Sequence, residues 1–286
     1  MSSSQSFTID LYPTGDKGSA FHVKNAPGGE IERRHLIDRG SDLTVQGDLV
    51  RVLHGKLSPG GAPATLVIAD FRFTSTDSSR RFCRAIITVR FADEQQRVQC
   101  EPEVTSIAPN GHFSMQIKKR TEEVKRSANL STQAGAGMLN VTGAFGVEAT
   151  ESSSKQSQTT LVGDIRYDGK QPSGDKNAAR WVLIENPTEK TGIPSFLRVA
   201  ILVRRKSLKD KFTAMIKISA ETDALSYLRA LFGRVPEDDP VIFDPDPDRA
   251  PTTSTEGFDL DNLGGLDLKE LWNVQSTTVL DEAIKK

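Results

Sequence analysis

The sequence predicts a mainly β protein: an antiparallel β-sandwich with one short C-terminal helix and an acidic, partly disordered tail. Three observations predict this class. Apolar and polar residues alternate along most of the chain before position 220, which is typical of half-buried strands. Turn-forming residues recur between these stretches, with few helical patterns among them. From Pro236 onward, prolines and aspartates replace the alternation.

The N-terminal half contains the clearest strand patterns. Thr65 to Phe73 and Phe82 to Phe91 are predicted to be consecutive strands of a meander, preceded by strands at Phe7 to Leu11 and Leu43 to Leu53. The odd-numbered residues between positions 83 and 91 are all apolar, so this face of the strand is predicted to point to the core.

Shorter patterns follow in the next part of the chain. Val104 to Ile107 and His112 to Ile117 flank Ala108-Pro-Asn-Gly111. Because Asn-Gly is the strongest short turn signal between strands, these residues predict a hairpin.

The C-terminal half predicts three long strands and one helix. The strands are Arg180 to Glu185, Phe196 to Arg204 and Phe212 to Ser219, and we expect them to be neighbours in one sheet. Ala224 to Phe232 has leucines at helical spacing, with Thr222 or Asp223 as its cap and Gly233 at its end. We expect this helix to lie across one end of the sandwich.

The composition change near Pro236 suggests a division of the chain. Residues 1–243 are predicted to form the β-sandwich domain, from which 127–167 either protrudes or packs as an ordinary hairpin. Residues 244–286 are predicted to form an acidic, proline-rich linker and a C-terminal docking peptide, with 244–265 as the linker.

Overall charge and cysteine content point to an intracellular protein without nucleic-acid partners. The formal net charge of −1 provides no field that would attract nucleic acid. The N-terminus lacks the pattern of a secretory signal, so we expect a cytoplasmic protein. Cys83 and Cys100 are expected to be free thiols in that compartment, with a disulfide between them as the alternative.

The sequence predicts no enzyme, cofactor or metal site. The four histidines are scattered, and no Gly-x-Ser-x-Gly motif occurs. The glycines Gly135 and Gly137 lack the Lys-Ser/Thr pair of a phosphate-binding loop. Aspartates in 238–248 leave calcium binding as an alternative to a plain acidic linker.

The C-terminal tail contains candidate partner-binding residues. They are apolar side chains in an otherwise polar segment, namely Leu266, Leu268, Leu271 and Trp272. Such anchors are typical of docking peptides. We expect them to cover a groove on the same chain or to dock on a protein partner or a second copy.

Basic clusters form a second candidate site near the ends of the predicted strands. The candidate basic patch consists of Lys118, Lys119, Arg120, Arg204, Arg205 and Lys206. The alternative is that these side chains are solvated rims that protect sheet edges. Arg204 to Ser207 also fits the pattern of a site for a basic-directed kinase.

A membrane-active hairpin in 127–167 is the alternative function. Leu139, Val141, Phe145 and Val147 share one face, while polar residues occupy the other. One face could then meet lipid and the other water, with the C-terminal tail as a restraint. An ordinary solvent-facing hairpin with glycine bulges explains the same pattern.

Three short motifs resemble a pattern in fungal β-rich proteins of unassigned activity. They are Trp181-Val-Leu-Ile-Glu-Asn186, Gly192-Ile-Pro194 and Asp239-Pro-Val-Ile-Phe-Asp-Pro245. The resemblance spans roughly residues 65–245 and implies an intracellular β-rich protein with no catalytic role. Our functional expectation is a non-enzymatic binding or scaffold protein.

Overall fold

The described part of the chain forms two antiparallel six-stranded sheets, which confirms the predicted mainly β class. They are seen in a computed structural model that describes residues 23, 25, 29–40, 43–77, 79–115, 158–169, 175–223 and 238–275. The predicted strand at 7–11 and the predicted helix at 224–232 lie outside these residues. Among the described residues, no helix has the length and apolar character needed to cross a membrane.

The first sheet consists of β4 (Phe82–Asp93), β6 (Gly111–Met115), β7 (Thr159–Arg166), β8 (Ala178–Ile184), β10 (Phe212–Thr222) and β11 (Val241–Phe243). Their order in the sheet is β11-β10-β4-β8-β7-β6.

The second sheet has the order β1-β2-β3-β9-β12, and β5 also pairs with β9. Its strands are β1 (His35–Gly40), β2 (Leu43–Lys56), β3 (Pro63–Ser75), β5 (Glu103–Ala108), β9 (Phe196–Arg204) and β12 (Asn273–Gln275). Short 3-10 turns lie at Val98–Cys100, Leu263–Gly265 and Leu268–Glu270.

The positions of the strands along the chain were predicted better than the pairing between strands. The predicted meander is wrong, because β3 lies in the second sheet and β4 in the first. The predicted hairpin at 104–117 is also wrong, because β5 pairs with β9 and β6 pairs with β7. Pro109 and Asn110 therefore carry the chain from one sheet to the other.

The three long C-terminal strands are likewise not neighbours in one sheet. β8 and β10 flank β4 in the first sheet, whereas β9 lies between β3 and β12 in the second. The proline-containing connection from 185 to 195 carries the chain from the first sheet to the second. Alternation identifies a strand, but it carries no information on which of two similar apolar faces the strand joins.

The main core lies between the sheets. It includes the apolar odd-numbered face of β4, where Ala85, Ile87 and Phe91 are buried as predicted. Trp181 is fully buried, and its indole N–H donates to the carbonyl of Pro109 at 2.9 Å. This bond fixes the crossing between the sheets against β8.

A second apolar cluster covers the outer face of the second sheet. Residues 252–275, called the C-terminal segment below, supply Leu263 and Leu268, both buried. They pack on outward-pointing side chains of β2, β3 and β9, including Leu53, Leu66 and Leu202. Consequently β3 is buried on both faces from Ala64 to Phe71.

Backbone bonds fasten the C-terminal segment to β2 and β9. The amide of Lys56 donates to the carbonyl of Leu260 at 2.8 Å, and β12 adds a short strand to the edge of β9. In residues 244–265, where we predicted a linker, the structure thus places ordered chain on the sheet. The apolar residues Phe258, Leu260 and Leu263 pack in the second cluster and stabilise this stretch, although its overall composition is acidic.

Candidate functional site

The outer faces of the two sheets differ. The C-terminal segment covers the second sheet, whereas the two apolar clusters of the described residues leave the outside of the first sheet uncovered. The outward-pointing side chains of β4, β6, β7, β8 and β10 form this surface, which we call the open face.

An aliphatic row crosses the middle of the open face. Ile86, Val182 and Val162 lie side by side as cross-strand partners on β4, β8 and β7. Ser219 and His112 extend the row at its two ends. Cross-strand neighbours of this kind have Cβ atoms roughly 5 Å apart, so the three aliphatic side chains form one continuous strip.

Basic side chains border the aliphatic row. Three arginines of the open face have acidic partners: Arg84 pairs with Glu221 at 3.2 Å, Arg90 with Glu101 at 3.6 Å, and Arg166 with Asp164 at 3.3 Å.

Arg180 differs from those three arginines. Within the described part of the chain it has no ion pair or hydrogen bond, and its Nε atom is buried without a partner. Its cross-strand neighbour is Asp164, whose carboxylate bonds to Arg166 instead. The positive charge of a half-buried guanidinium is poorly compensated when no anion is near, because burial weakens the hydration of the group.

The predicted partner-binding residues lie on their own chain. Leu268 is buried, while Leu266, Leu271 and Trp272 are half-buried against the second sheet. Trp272 also packs on Phe113 of β6, with ring centroids 5.1 Å apart. The sequence left open whether these side chains pack on their own chain or on a partner. The structure shows them packed on their own chain.

The members of the predicted basic patch fall into three groups: residues outside the described part of the chain, ion-paired residues and one buried residue. Lys118, Lys119 and Arg120 lie outside the described residues. Arg204 pairs with Glu103, and Lys206 pairs with Asp175 at 2.6 Å. The pairing with Lys206 lowers the pKa of Asp175.

Arg205, the remaining member of that patch, is buried. Its guanidinium donates to four backbone carbonyls, including that of Leu208 at 2.9 Å. Burial lowers its pKa to about 10. Arg205 is one of the basic residues of the kinase-like motif, and it is therefore inaccessible in the folded protein, although Ser207 lies in a surface turn.

The predicted membrane-facing residues Leu139, Val141, Phe145 and Val147 lie outside the described residues. The end of the same stretch is described: Thr159–Arg166 forms β7, an interior strand of the first sheet. Met115 and Thr159 are the last Cα partners of the β6–β7 ladder, so residues 116–158 are inserted between two paired strands.

A cleft of about 340 Å³ lies between β2 and the proline-rich stretch 244–252. At its base, His54 Nε2 lies 2.7 Å from Glu32 Oε1, and His54 Nδ1 lies 2.9 Å from Thr65 Oγ1. The Thr252 hydroxyl donates to the other oxygen of Glu32. Glu32 has φ +53°, a strained conformation for a residue other than glycine.

These hydrogen bonds, called the relay below, join four parts of the chain, at Glu32, His54, Thr65 and Thr252. Both nitrogens of His54 are engaged, and Thr65 is fully buried. The hydroxyl of Thr65 is therefore out of reach of a ligand in the cleft. The geometry favours a structural role, in which Glu32 and His54 hold Thr252 at the start of the C-terminal segment.

One described group has the composition of a metal site. Oxygen and sulfur atoms of Asp93, Cys100 and Asp210 lie within 4.8 Å of one another. Arg97 bonds to both carboxylates, to Asp93 at 2.8 Å and to Asp210 at 3.0 Å. Its hydrogen bonds lower the pKa of Asp93. The guanidinium therefore supplies the positive charge that a cation would otherwise provide.

The acidic stretch considered for calcium also has cationic partners. Asp244 pairs with Lys211 at 3.3 Å and with Arg249 at 3.2 Å. Lys209 pairs with Asp246 at 3.3 Å and with Asp248 at 3.1 Å. The pairs of Lys209 and Lys211 fasten the proline-rich stretch to the β9–β10 turn.

Both cysteines are free thiols in the structure. Cys83 is half-buried, and burial together with the neighbouring Glu185 raises its pKa to about 12. A thiol with so little thiolate at neutral pH is a poor nucleophile.

Sequence reasoning missed the open face and the relay. Even positions of β4, such as Arg84 and Arg90, are polar in the alternation, but the cross-strand partners were not predicted. The relay left no local signal, because Glu32 and Thr252 are far apart in sequence. Comparisons with known proteins found no matching family model, no matching curated protein and no matching solved structure.

Proposed function

We propose that this chain is a non-enzymatic, intracellular binding protein that recognises a partner through the open face. The observation that carries the proposal is the difference between the two sheets. One outer face is occupied by the C-terminal segment, while the other presents an aliphatic row and an arginine without an anion among the described residues. Surfaces that combine aliphatic side chains with arginine are typical of protein interfaces.

Two further observations support the non-enzymatic and the intracellular parts of the proposal. Arg97 occupies the carboxylate of Asp93 in the group that has the composition of a metal site, and Thr65, the hydroxyl partner of His54, is fully buried. The free cysteines fit a reducing compartment, where disulfides are uncommon.

Site-specific photocrosslinking tests the proposal. Ile184 lies on the open face, is 39% exposed and neighbours Arg84, whereas Leu208 is 55% exposed and lies in the β9–β10 turn. A photoreactive residue is placed at each position in cells that express the protein. We expect discrete protein adducts from position 184 and none of these from position 208. Absence of adducts at 184, or the same adducts at both positions, would contradict the proposal.

A membrane-active role is the second candidate, and one observation favours it. The inserted stretch 116–158 begins directly after β6, and Trp272 of the C-terminal segment packs on Phe113 of that strand. Release of the C-terminal segment would therefore free the strand that leads into the amphipathic stretch.

Dye release from anionic liposomes tests this second candidate. We expect leakage after limited proteolysis within 246–258, and more leakage from Trp272→Ala than from the control Leu208→Ala. Intact vesicles with all of these proteins would eliminate the membrane-active role.

A further inference from the structure

The open face has dimensions that suit one helix. The row from Ser219 to His112 crosses five strands, which are about 4.8 Å apart. Its length is therefore about 19 Å, the length of a helix of about 13 residues. An aliphatic strip that is bordered by polar side chains, apart from Ile184, matches the narrow apolar stripe of an amphipathic helix.

The charge of the open face indicates the sign of the charge that its partner carries. Five basic side chains project from it, namely Arg84, Arg90, Arg166, Arg180 and Lys217. Asp164 and Glu221 are its acidic side chains, and Glu101 reaches Arg90 from outside the sheet. Arg180, which lies next to the aliphatic row and has no acidic partner among the described residues, favours carboxylates on the partner.

A second copy of the chain fits this surface poorly. Two open faces brought together would place basic groups opposite basic groups, and like charges across an interface are unfavourable. A lipid bilayer fits poorly as well, because Val182 is only 8% exposed and Ile86 and Val162 are half-buried. Insertion into acyl chains needs protruding apolar side chains.

We infer that the open face binds an acidic amphipathic helix of a partner protein. Its apolar stripe packs chiefly on Ile86 and Val162, the half-buried members of the row, and a flanking carboxylate accepts hydrogen bonds from the Arg180 guanidinium. This inference rests on the proposed function, since it names the partner chemistry of the same face.

Binding of defined probes to the full chain tests the inference. The probe is a helical peptide with a leucine stripe flanked by glutamates, and fluorescence anisotropy gives its dissociation constant. Control probes are the same helix with lysines in place of the glutamates, and phosphatidylserine vesicles. We expect binding of the glutamate helix that weakens with added salt, and no comparable binding of either control.

Three substitutions identify the role of Arg180. Arg180→Gln is expected to weaken binding by about tenfold or more. Arg34→Gln removes an equal charge from an exposed position outside the open face and is expected to leave the dissociation constant unchanged. Asp164→Asn removes the carboxylate beside Arg180 and is expected to tighten binding, an effect that a purely structural pairing of these residues does not explain. Circular dichroism verifies that each variant folds.

The outcomes separate this inference from the proposed function. Equal effects of Arg180→Gln and Arg34→Gln, or preference for the lysine helix or the vesicles, would overturn the inference. Adducts from position 184 would still support a binding face in those cases. No probe binding together with no adducts would overturn both.

Discussion

The Trp272 ring packs against the Phe113 ring with centroids 5.1 Å apart and an interplanar angle of 53°. This contact joins the C-terminal segment to β6, an edge strand of the opposite sheet. It also places Trp272 between the two apolar clusters, since the residue packs against both. The C-terminal segment is thereby part of the folded sandwich and connects its two layers along one edge.

A double-mutant cycle measures this connection. Trp272→Ala and Phe113→Ala should each lower the free energy of unfolding, and their coupling energy should be about 1 kcal/mol. Urea denaturation of the four proteins provides the values. Strict additivity would show that the ring contact does not form in solution.

Burial of the C-terminal segment predicts a difference between two leucines. Leu263 is fully buried against the second sheet, whereas Leu208 is 55% exposed. Leu263→Ala should lower the free energy of unfolding by about 3 kcal/mol, because it leaves a cavity in a packed cluster. Leu208→Ala should change stability by less than about 0.5 kcal/mol. Similar losses for the two variants would mean that the segment is not packed as described.

The sequence predicted individual strands because side-chain alternation is local. The odd-numbered face of β4 is buried as expected. The assignment of β9 to the same sheet as β8 failed, since both strands are apolar on two faces. A strand of this kind can join either sheet, and only its long-range partners decide.

The candidate site was harder to predict for a related reason. Arg180 is unusual only because Asp164, its cross-strand neighbour, pairs with Arg166. Such a relationship depends on strand register, which periodicity does not determine. Conversely, Arg205 looked like a surface cation in a basic run but is buried among carbonyl groups.

The raised pKa of Cys83 predicts slow alkylation. At pH 8 a thiol with a pKa of about 12 has roughly a thousandth of the thiolate of an ordinary cysteine. In a Cys100→Ser background, iodoacetamide should therefore label Cys83 about a thousandfold more slowly in the native protein than in urea. Removing the nearby carboxylate with Glu185→Gln should speed native labelling. Native labelling as fast as that in urea would contradict the described environment.

Acid sensitivity should depend on Asp93. Hydrogen bonds from Arg97 lower its pKa in the folded state, so its contribution to stability is complete above its unfolded pKa of about 4. That contribution is lost as the pH falls through the lower folded pKa. Asp93→Asn should therefore be less stable than the natural protein at pH 7, by about 2 kcal/mol, with a difference that narrows below about pH 4. Thermal unfolding across this pH range is the measurement, and a constant difference would contradict the ion pair.

Lysine acetylation footprinting tests recognition through the open face most directly. Lys217 projects from β10 onto this face, whereas Lys269 lies on the C-terminal segment at the opposite sheet. With the acidic helix present, acetylation of Lys217 should slow while that of Lys269 stays unchanged. Unchanged acetylation of Lys217 at saturating helix, or protection of Lys269 alone, would contradict the account.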